Sequence, residues 1–299
     1  MGTTTSRRYA NEAYAITARN VTFDWSGVPL HYLPGEPVAT QFFNFMHLVL
    51  PEGERAMAAA LAEALPYIHD ERLREEVQGF IGQESMHASS HEGVREHLER
   101  NGVPIQPVIE RMQYFADRVI GERGLTGRAK KQWLKERLGL YAAMEHFTAV
   151  IGQWFLDSEE IEDMHPMMLD LIRWHGAEEV EHRNVVFDAF QYLDGSYTRR
   201  TRTALLAAAT LIGLYAVTMR YLVRNDPEPE KAKHPILNYI TATRRGKIPS
   251  FTVFITEMPK YLRPNFHPSD MGDLDAAIRY LAISPAARAA ESTETESTS

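Results

Sequence analysis

Cysteine is absent from this 299-residue sequence, which excludes disulfides, thiolate metal sites, cysteine-held iron–sulfur clusters and every cysteine nucleophile. Any metal must be held by oxygen and imidazole. Positive charge is in short supply: 32 Lys and Arg stand against 40 Asp and Glu, a formal net charge of -8, which argues against a nucleic-acid partner. Residues 1–20 lack the apolar core of a secretory signal, so the expected location is the cytoplasm. No nicotinamide or flavin fingerprint occurs, and any electrons the chemistry needs must come from an electron-donor protein or from the substrate. One uncharged stretch, 203–219, runs 17 residues between flanking arginines and falls just short of a span. It reads as a buried or homodimer-interface helix; the alternatives are peripheral membrane contact and the wall of an apolar substrate tunnel.

What the sequence does contain is helix. With 44% hydrophobic and 24% charged residues the chain can bury a sizeable core. Apolar periodicity and turn residues predict long helices over 39–65, 70–100, 107–122, 128–157, 166–193 and 199–224. Residues 21–35 alternate apolar and polar groups and read as extended chain or a hairpin laid over a helical body. The prolines after residue 224 make 245–271 a loop-rich stretch, and 286–299 is small, polar and expected to be disordered. The expected organisation is a flexible N-terminus over 1–20, one helical domain over 21–285, and that tail.

Glu-x-x-His occurs three times, at Glu84/His87, Glu162/His165 and Glu179/His182; with 28 Glu and 12 His in the chain, about one such match arises by chance. The Glu162 copy precedes Pro166 in an expected loop and is taken as the chance match. The other two lie mid-helix, where a spacing of three puts both side chains on one face. Glu84 and His87 continue the apolar stripe of Leu73, Val77, Phe80, Val94 and Leu98, so they point inward. Two inward Glu–His pairs on different helices would bury carboxylates with too few cations nearby, and a metal resolves that conflict.

Residues that face each other across an antiparallel helix pair sit at equal distances from the connecting turn. Reflecting 84–87 through a turn near 70 lands near residue 54, where Glu54 stands on the face of Met57, Leu61 and Leu65 while Glu52 lies roughly opposite. Reflecting 179–182 through a turn near 163 lands near 145, where Glu145 stands. The set Glu54, Glu84, His87, Glu145, Glu179 and His182 has four carboxylates to balance two divalent ions. It is the ligand pattern of a ferritin-like dinuclear carboxylate site: one Glu from each of two helices and a Glu-x-x-His from each of two more. Such donors suit iron first, with manganese or zinc admissible. His91 and His175 each extend a ligand face by one turn, as an extra ligand, a proton carrier or a rim histidine. Tyr141 stands one turn before Glu145, as a redox or proton-donating group or an ordinary core tyrosine. Glu178 and Glu181 are expected on other faces, solvated or paired with arginine. Asp188 is a candidate outer partner, and His146 should point away from the metals.

The runs Pro51-Glu-Gly-Glu54-Arg55, Gly82-Gln-Glu-Ser-Met-His87, Ala177-Glu-Glu-Val-Glu-His182 and Tyr261-Leu-Arg-Pro-Asn-Phe-His-Pro268 together resemble the bacterial predicted metal-dependent hydrolases, over about 21–270. The resemblance implies a ferritin-like helical fold with a metal site on these residues; His267, in the last run, reads as a loop cap. The expected fold class is therefore all-α, a ferritin-like bundle with an extended N-terminal segment and extra C-terminal helices and loops. The leading functional expectation is a di-iron enzyme that oxidises a small hydrophobic molecule with dioxygen. The alternatives are metal-dependent hydrolysis of an ester, amide or phosphoester, and non-catalytic metal binding or storage.

Overall fold

A computed structural model describes residues 15–297. Among them there is no strand. The chain forms α1 (Pro37–Ala64), α2 (Glu71–Arg100), α3 (Gln106–Tyr114) running into a π-helical turn (Phe115–Ile120), α4 (Gly127–Asp157), α5 (Pro166–His182), α6 (Val185–Leu193), α7 (Tyr197–Arg224), α8 (Pro235–Arg244), α9 (Phe251–Tyr261), α10 (Leu274–Leu281) and α11 (Pro285–Ser297). The bundle is made of two antiparallel pairs, α1 with α2 and α4 with α5.

The first pair turns tightly because both helix ends are capped by side chains. Asp70 accepts the Leu73 amide at 2.9 Å and starts α2, while Arg74 donates to the Leu65 and Ile68 carbonyls of the turn that follows α1. Inside α1, Pro51 has no amide to give the His47 carbonyl. Arg95 of α2 supplies the missing donor, bonding His47 O at 3.2 Å and Leu48 O at 2.8 Å, and its guanidinium also clamps the buried Glu52. The helix therefore runs through its proline with its register intact. In the second pair Gly152 of α4 meets Gly176 of α5, where a Cβ on Gly152 would stand 2.5 Å from the Gly176 carbonyl. Only glycine lets the two backbones come this close.

Several expectations change. The helix read as 166–193 breaks into α5 and α6: at the break the Arg183 guanidinium folds back to the Val180 carbonyl and the Asn184 side-chain amide donates to Asp188 Oδ2. The loop-rich stretch contains α9, whose Pro259 sits near its C-terminal end, where little of the helix remains to be disrupted. The tail read as disordered is helical from Pro285; Asp170 of α5 holds its start by accepting from Ser284 Oγ at 2.8 Å and the Ala286 amide at 2.9 Å. The segment before α1 forms no hairpin. Of the expected flexible N-terminus, residues 1–14 lie outside the described part, and 15–20 run extended across α2. Gly79 makes room for them, since a Cβ there would stand 2.1 Å from the Ile16 carbonyl. Finally, α7 is not a buried helix. Ala204, Ala207, Met219 and Leu222 pack inward, while Leu205, Leu206, Ile212 and Val217 face out. By length and composition alone it could cross a membrane.

Candidate metal centre

The four bundle helices bring Glu54 (α1), Glu84 and His87 (α2), Glu145 (α4), and Glu179 and His182 (α5) to one interior point, all of them buried. Three overlapping groups among these six and His175 have ligand atoms no more than 4.8 Å apart: Glu54/His87/His175, Glu84/His87/Glu179 and Glu84/Glu145/His182. Glu84 thus belongs to both ends of the cluster. Its Oε1 lies 3.6 Å from His87 Nδ1 and 3.3 Å from His182 Nε2. Glu179 divides similarly, with Oε1 at 3.7 Å from His87 Nδ1 and Oε2 at 3.6 Å from His182 Nε2. Glu145 adds to the His182 side at 3.0 Å, and Glu54 lies on the His87 side.

The fit to a metal rests on which atoms lack hydrogen bonds. Glu54 Oε1 and Oε2, Glu84 Oε1 and Oε2, Glu145 Oε1, Glu179 Oε2, His87 Nδ1 and His182 Nε2 are all buried without a partner. A buried polar atom left unpaired costs about 1–3 kcal/mol, more when charged, so eight of them gathered at one point need a common partner. Oxygen and imidazole donors in this number match divalent transition metals.

The far side of each ligand ring is held. His87 Nε2 donates to Glu178 Oε2 at 2.9 Å, and His182 Nδ1 donates to Gln83 Oε1 at 2.9 Å. Gln83 turns its amide nitrogen to Glu181 and to the Thr17 carbonyl, which fixes its oxygen toward His182. Arg19 closes the ring, reaching Glu178 at 2.7 Å and Glu181 at 3.1 Å. With one nitrogen of each imidazole donating outward, the inward nitrogen carries the lone pair a metal requires.

Burial pushes the Glu54 carboxyl up to about 7 and Glu145 up to about 8, the latter raised further by neighbouring Glu179. Burial also raises Glu84. Against its own burial, bonds from His175 and His182 hold Glu179 well below the usual carboxylate range. Burial depresses His87 and His182, but their carboxylate partners outweigh it and raise both well above the ordinary imidazole value.

His175 is in the cluster, with Nε2 2.7 Å from Glu179 Oε1 and 3.7 Å from Glu54 Oε1. His91 stands one step out: Nε2 is 3.5 Å from Glu54 Oε1, and Nδ1 is 2.9 Å from Nδ1 of buried His47. The Tyr141 hydroxyl is engaged elsewhere, donating to the Ile120 carbonyl at 3.3 Å. Glu178 and Glu181 are not solvated; both are buried and shared between Arg19 and the ligand-holding ring. Asp188 bonds His267 at 3.1 Å rather than a ligand, and His267 caps the turn at 268–270 through the Ser269 amide. His146 turns away to stack near Tyr261 and Phe266. Glu162 is half exposed and pairs with Arg173 at 2.7 Å. Sequence reasoning missed Arg19, Gln83 and His47. Their traces were two glycines three apart in α2, Gly79 and Gly82, and a histidine two turns before Glu54 on the same helical face.

A cavity of about 450 Å³ opens above the centre. Its floor is Glu54, Glu84, Glu145, His175 and Glu179, and its walls are apolar, from α1, the π-helical turn, α4, α7, α8 and α9.

The profile of the family described as predicted metal-dependent hydrolase matches residues 17–272. The chain belongs to that family. The matched span takes in every side chain of the site described above, from Arg19 in the outer ring to His267. No curated protein and no solved structure matches the chain significantly. The family is described as metal-dependent, and the clustered Glu and His side chains are groups that could hold a metal ion.

Proposed function

We propose that the chain is a two-metal hydrolase acting on an ester or amide bond in a largely apolar substrate. One observation carries the reading: two ligand groups share Glu84, and their carboxylates Glu84, Glu145 and Glu179 line an apolar cavity. The hydrolase description of the family supports it. Glu54, His87 and His175 would hold one ion, Glu145 and His182 the other, with Glu84 and Glu179 between them. Bound there, a divalent pair supplies Lewis acidity toward the scissile carbonyl and lowers the pKa of a nucleophilic water.

The protein's own contribution is positioning and dryness. The ring of Arg19, Glu178, Gln83 and Glu181 keeps both imidazoles in the ligand-competent tautomer. Apolar cavity walls exclude bulk water and leave the carboxylates at the floor as the polar surface the substrate meets. Beside Glu54, His91 Nε2 lies 3.5 Å from Glu54 Oε1 and His91 Nδ1 lies 2.9 Å from His47 Nδ1, and burial holds both imidazoles below the ordinary value, so the pair stays neutral next to the carboxylates. His175 takes the place of a ligand in this reading, and His91 that of a rim histidine beside Glu54.

A second reading, oxidation of the substrate by dioxygen at iron with electrons from a donor protein, is favoured by the donor set itself, since four carboxylates suit ferrous and ferric iron. The two are separated by loading the stripped protein with zinc or with ferrous iron under anaerobic conditions. Hydrolysis predicts turnover of p-nitrophenyl acyl esters by the zinc form, lost in Glu84→Ala. An inert zinc form beside an iron form that consumes oxygen would replace the first reading with the second.

A further inference from the structure

The cavity does not end inside the bundle. Ile212 of α7 and Phe251 and Ile255 of α9 line it, yet they are 63%, 68% and 57% exposed, so its mouth lies where these helices meet solvent. Two of the helices that wall it, α7 and α8, show further apolar side chains to solvent: Leu205, Leu206 and Val217 on α7, and Ile236, Leu237 and Ile240 on α8, with Ile236 at 78% exposure. Exposed apolar surface on this scale marks an interaction site.

Charge identifies the occupant. Arg199, Arg202, Arg245 and Lys247 are paired with acids of other segments and Arg200 is buried, while Arg220, Arg224, Arg244 and Arg263 are exposed; residues 197–263 as a whole carry 12 Lys and Arg against 4 Asp and Glu in a chain whose formal net charge is -8. The rest of the protein is correspondingly acidic. Arg202, paired with Glu136, and Arg220, both exposed, bracket the uncharged part of α7, and exposed Arg244 ends α8. An apolar face rimmed by arginine matches a lipid surface, where long basic side chains reach phosphate headgroups while the apolar residues enter the acyl boundary. A second copy of this chain would set one basic rim against another. Because α7 also packs along α4 and α1 by one of its faces, the arrangement is docking rather than spanning.

We propose that the face formed by α7, α8 and α9 docks on an anionic bilayer and opens the cavity into it, so that the substrate is an amphiphile with an aliphatic chain. The substrate class rests on the cavity being the substrate pocket of the proposed hydrolase; the docking itself does not depend on metal. The test is co-sedimentation of the full-length protein with phosphatidylcholine vesicles, with and without phosphatidylglycerol. The expected result is pelleting with the phosphatidylglycerol vesicles that weakens with salt, falls about fivefold in Arg220→Glu, and falls about tenfold or more in Ile236→Asp/Leu237→Asp. Both sites are on the surface, and unchanged helicity verifies folding. Absence of vesicle binding overturns the proposal, as does a stable dimer that the Ile236→Asp/Leu237→Asp protein no longer forms, which would make this face an interface between copies. Metal content measured on the same samples separates the two readings: lost docking with full metal content rejects the docking alone, and docking without metal binding rejects the two-metal centre alone.

Discussion

Glu178 accepts the Nε2 proton of His87 at 2.9 Å and so turns Nδ1 of that ring toward Glu84 and Glu179. Glu178 in turn is held by Arg19, from a segment 159 residues away in sequence. Removing Arg19 leaves two buried carboxylates without their cation, free to reorganise the ring that orients both imidazoles. Arg19→Ala is expected to weaken metal affinity by about 10–100-fold, measured by competition with a chelator. Arg19→Lys should recover only part of this, because an ammonium cannot fork between two carboxylates. Equal affinity in all three proteins would show that the ring does not orient the ligands.

Glu84 serves both ends of the cluster and Glu145 only one. Elemental analysis should therefore find two divalent ions per chain in the native protein by the proposed arrangement, about one in Glu145→Ala and close to none in Glu84→Ala. Identical losses in the two variants would contradict the sharing.

Metal affinity should rise with pH between about 6 and 8. Burial holds Glu54 up to about 7 and Glu145 up to about 8, and carboxylate neighbours raise His87 and His182 against their burial, so the site holds protons at neutral pH that a metal must displace. The sign for stability follows from the same shifts. A carboxyl whose folded pKa lies above its unfolded value stabilises the fold below the unfolded value, and that stability is lost as pH rises through about 7 for Glu54 and about 8 for Glu145. The stripped protein should lose melting temperature over this range, less so in Glu145→Gln. Titration calorimetry in buffers of different ionisation enthalpy reads the released protons directly; no proton release at neutral pH would refute the assignment.

Gly152→Ala forces a methyl group toward a carbonyl 2.5 Å away and must part α4 from α5. Urea unfolding should show a loss of about 1–3 kcal/mol, together with weaker metal binding, because Glu145 and Glu179 ride on those two helices.

Ala208 lines the cavity without belonging to the metal cluster. Ala208→Phe should leave metal content unchanged while reducing turnover of long-chain p-nitrophenyl esters more than that of the acetate. Uniform reduction across chain lengths would mean that the cavity does not hold the chain.

How far the site was legible depended on sequence distance. Glu84 with His87 and Glu179 with His182 are read from helical spacing alone, and Glu54 and Glu145 from the symmetry of an antiparallel pair, because both follow from the fixed rise of a helix and the position of a turn. Pro51 threatened that register, and nothing local to α1 shows that Arg95 on another helix replaces the missing bond.

The amino-acid sequence by itself determined an all-helical chain and which Glu and His share an inward face, since helix periodicity is a local property. Only the tertiary structure decided that Arg19 crosses to Glu178 and Glu181, that Gln83 faces His182 from 99 residues away, and that α7 leaves Leu205, Leu206, Ile212 and Val217 outside. Those outcomes depend on which backbones come close enough to touch, and that is settled by packing among segments far apart in the chain.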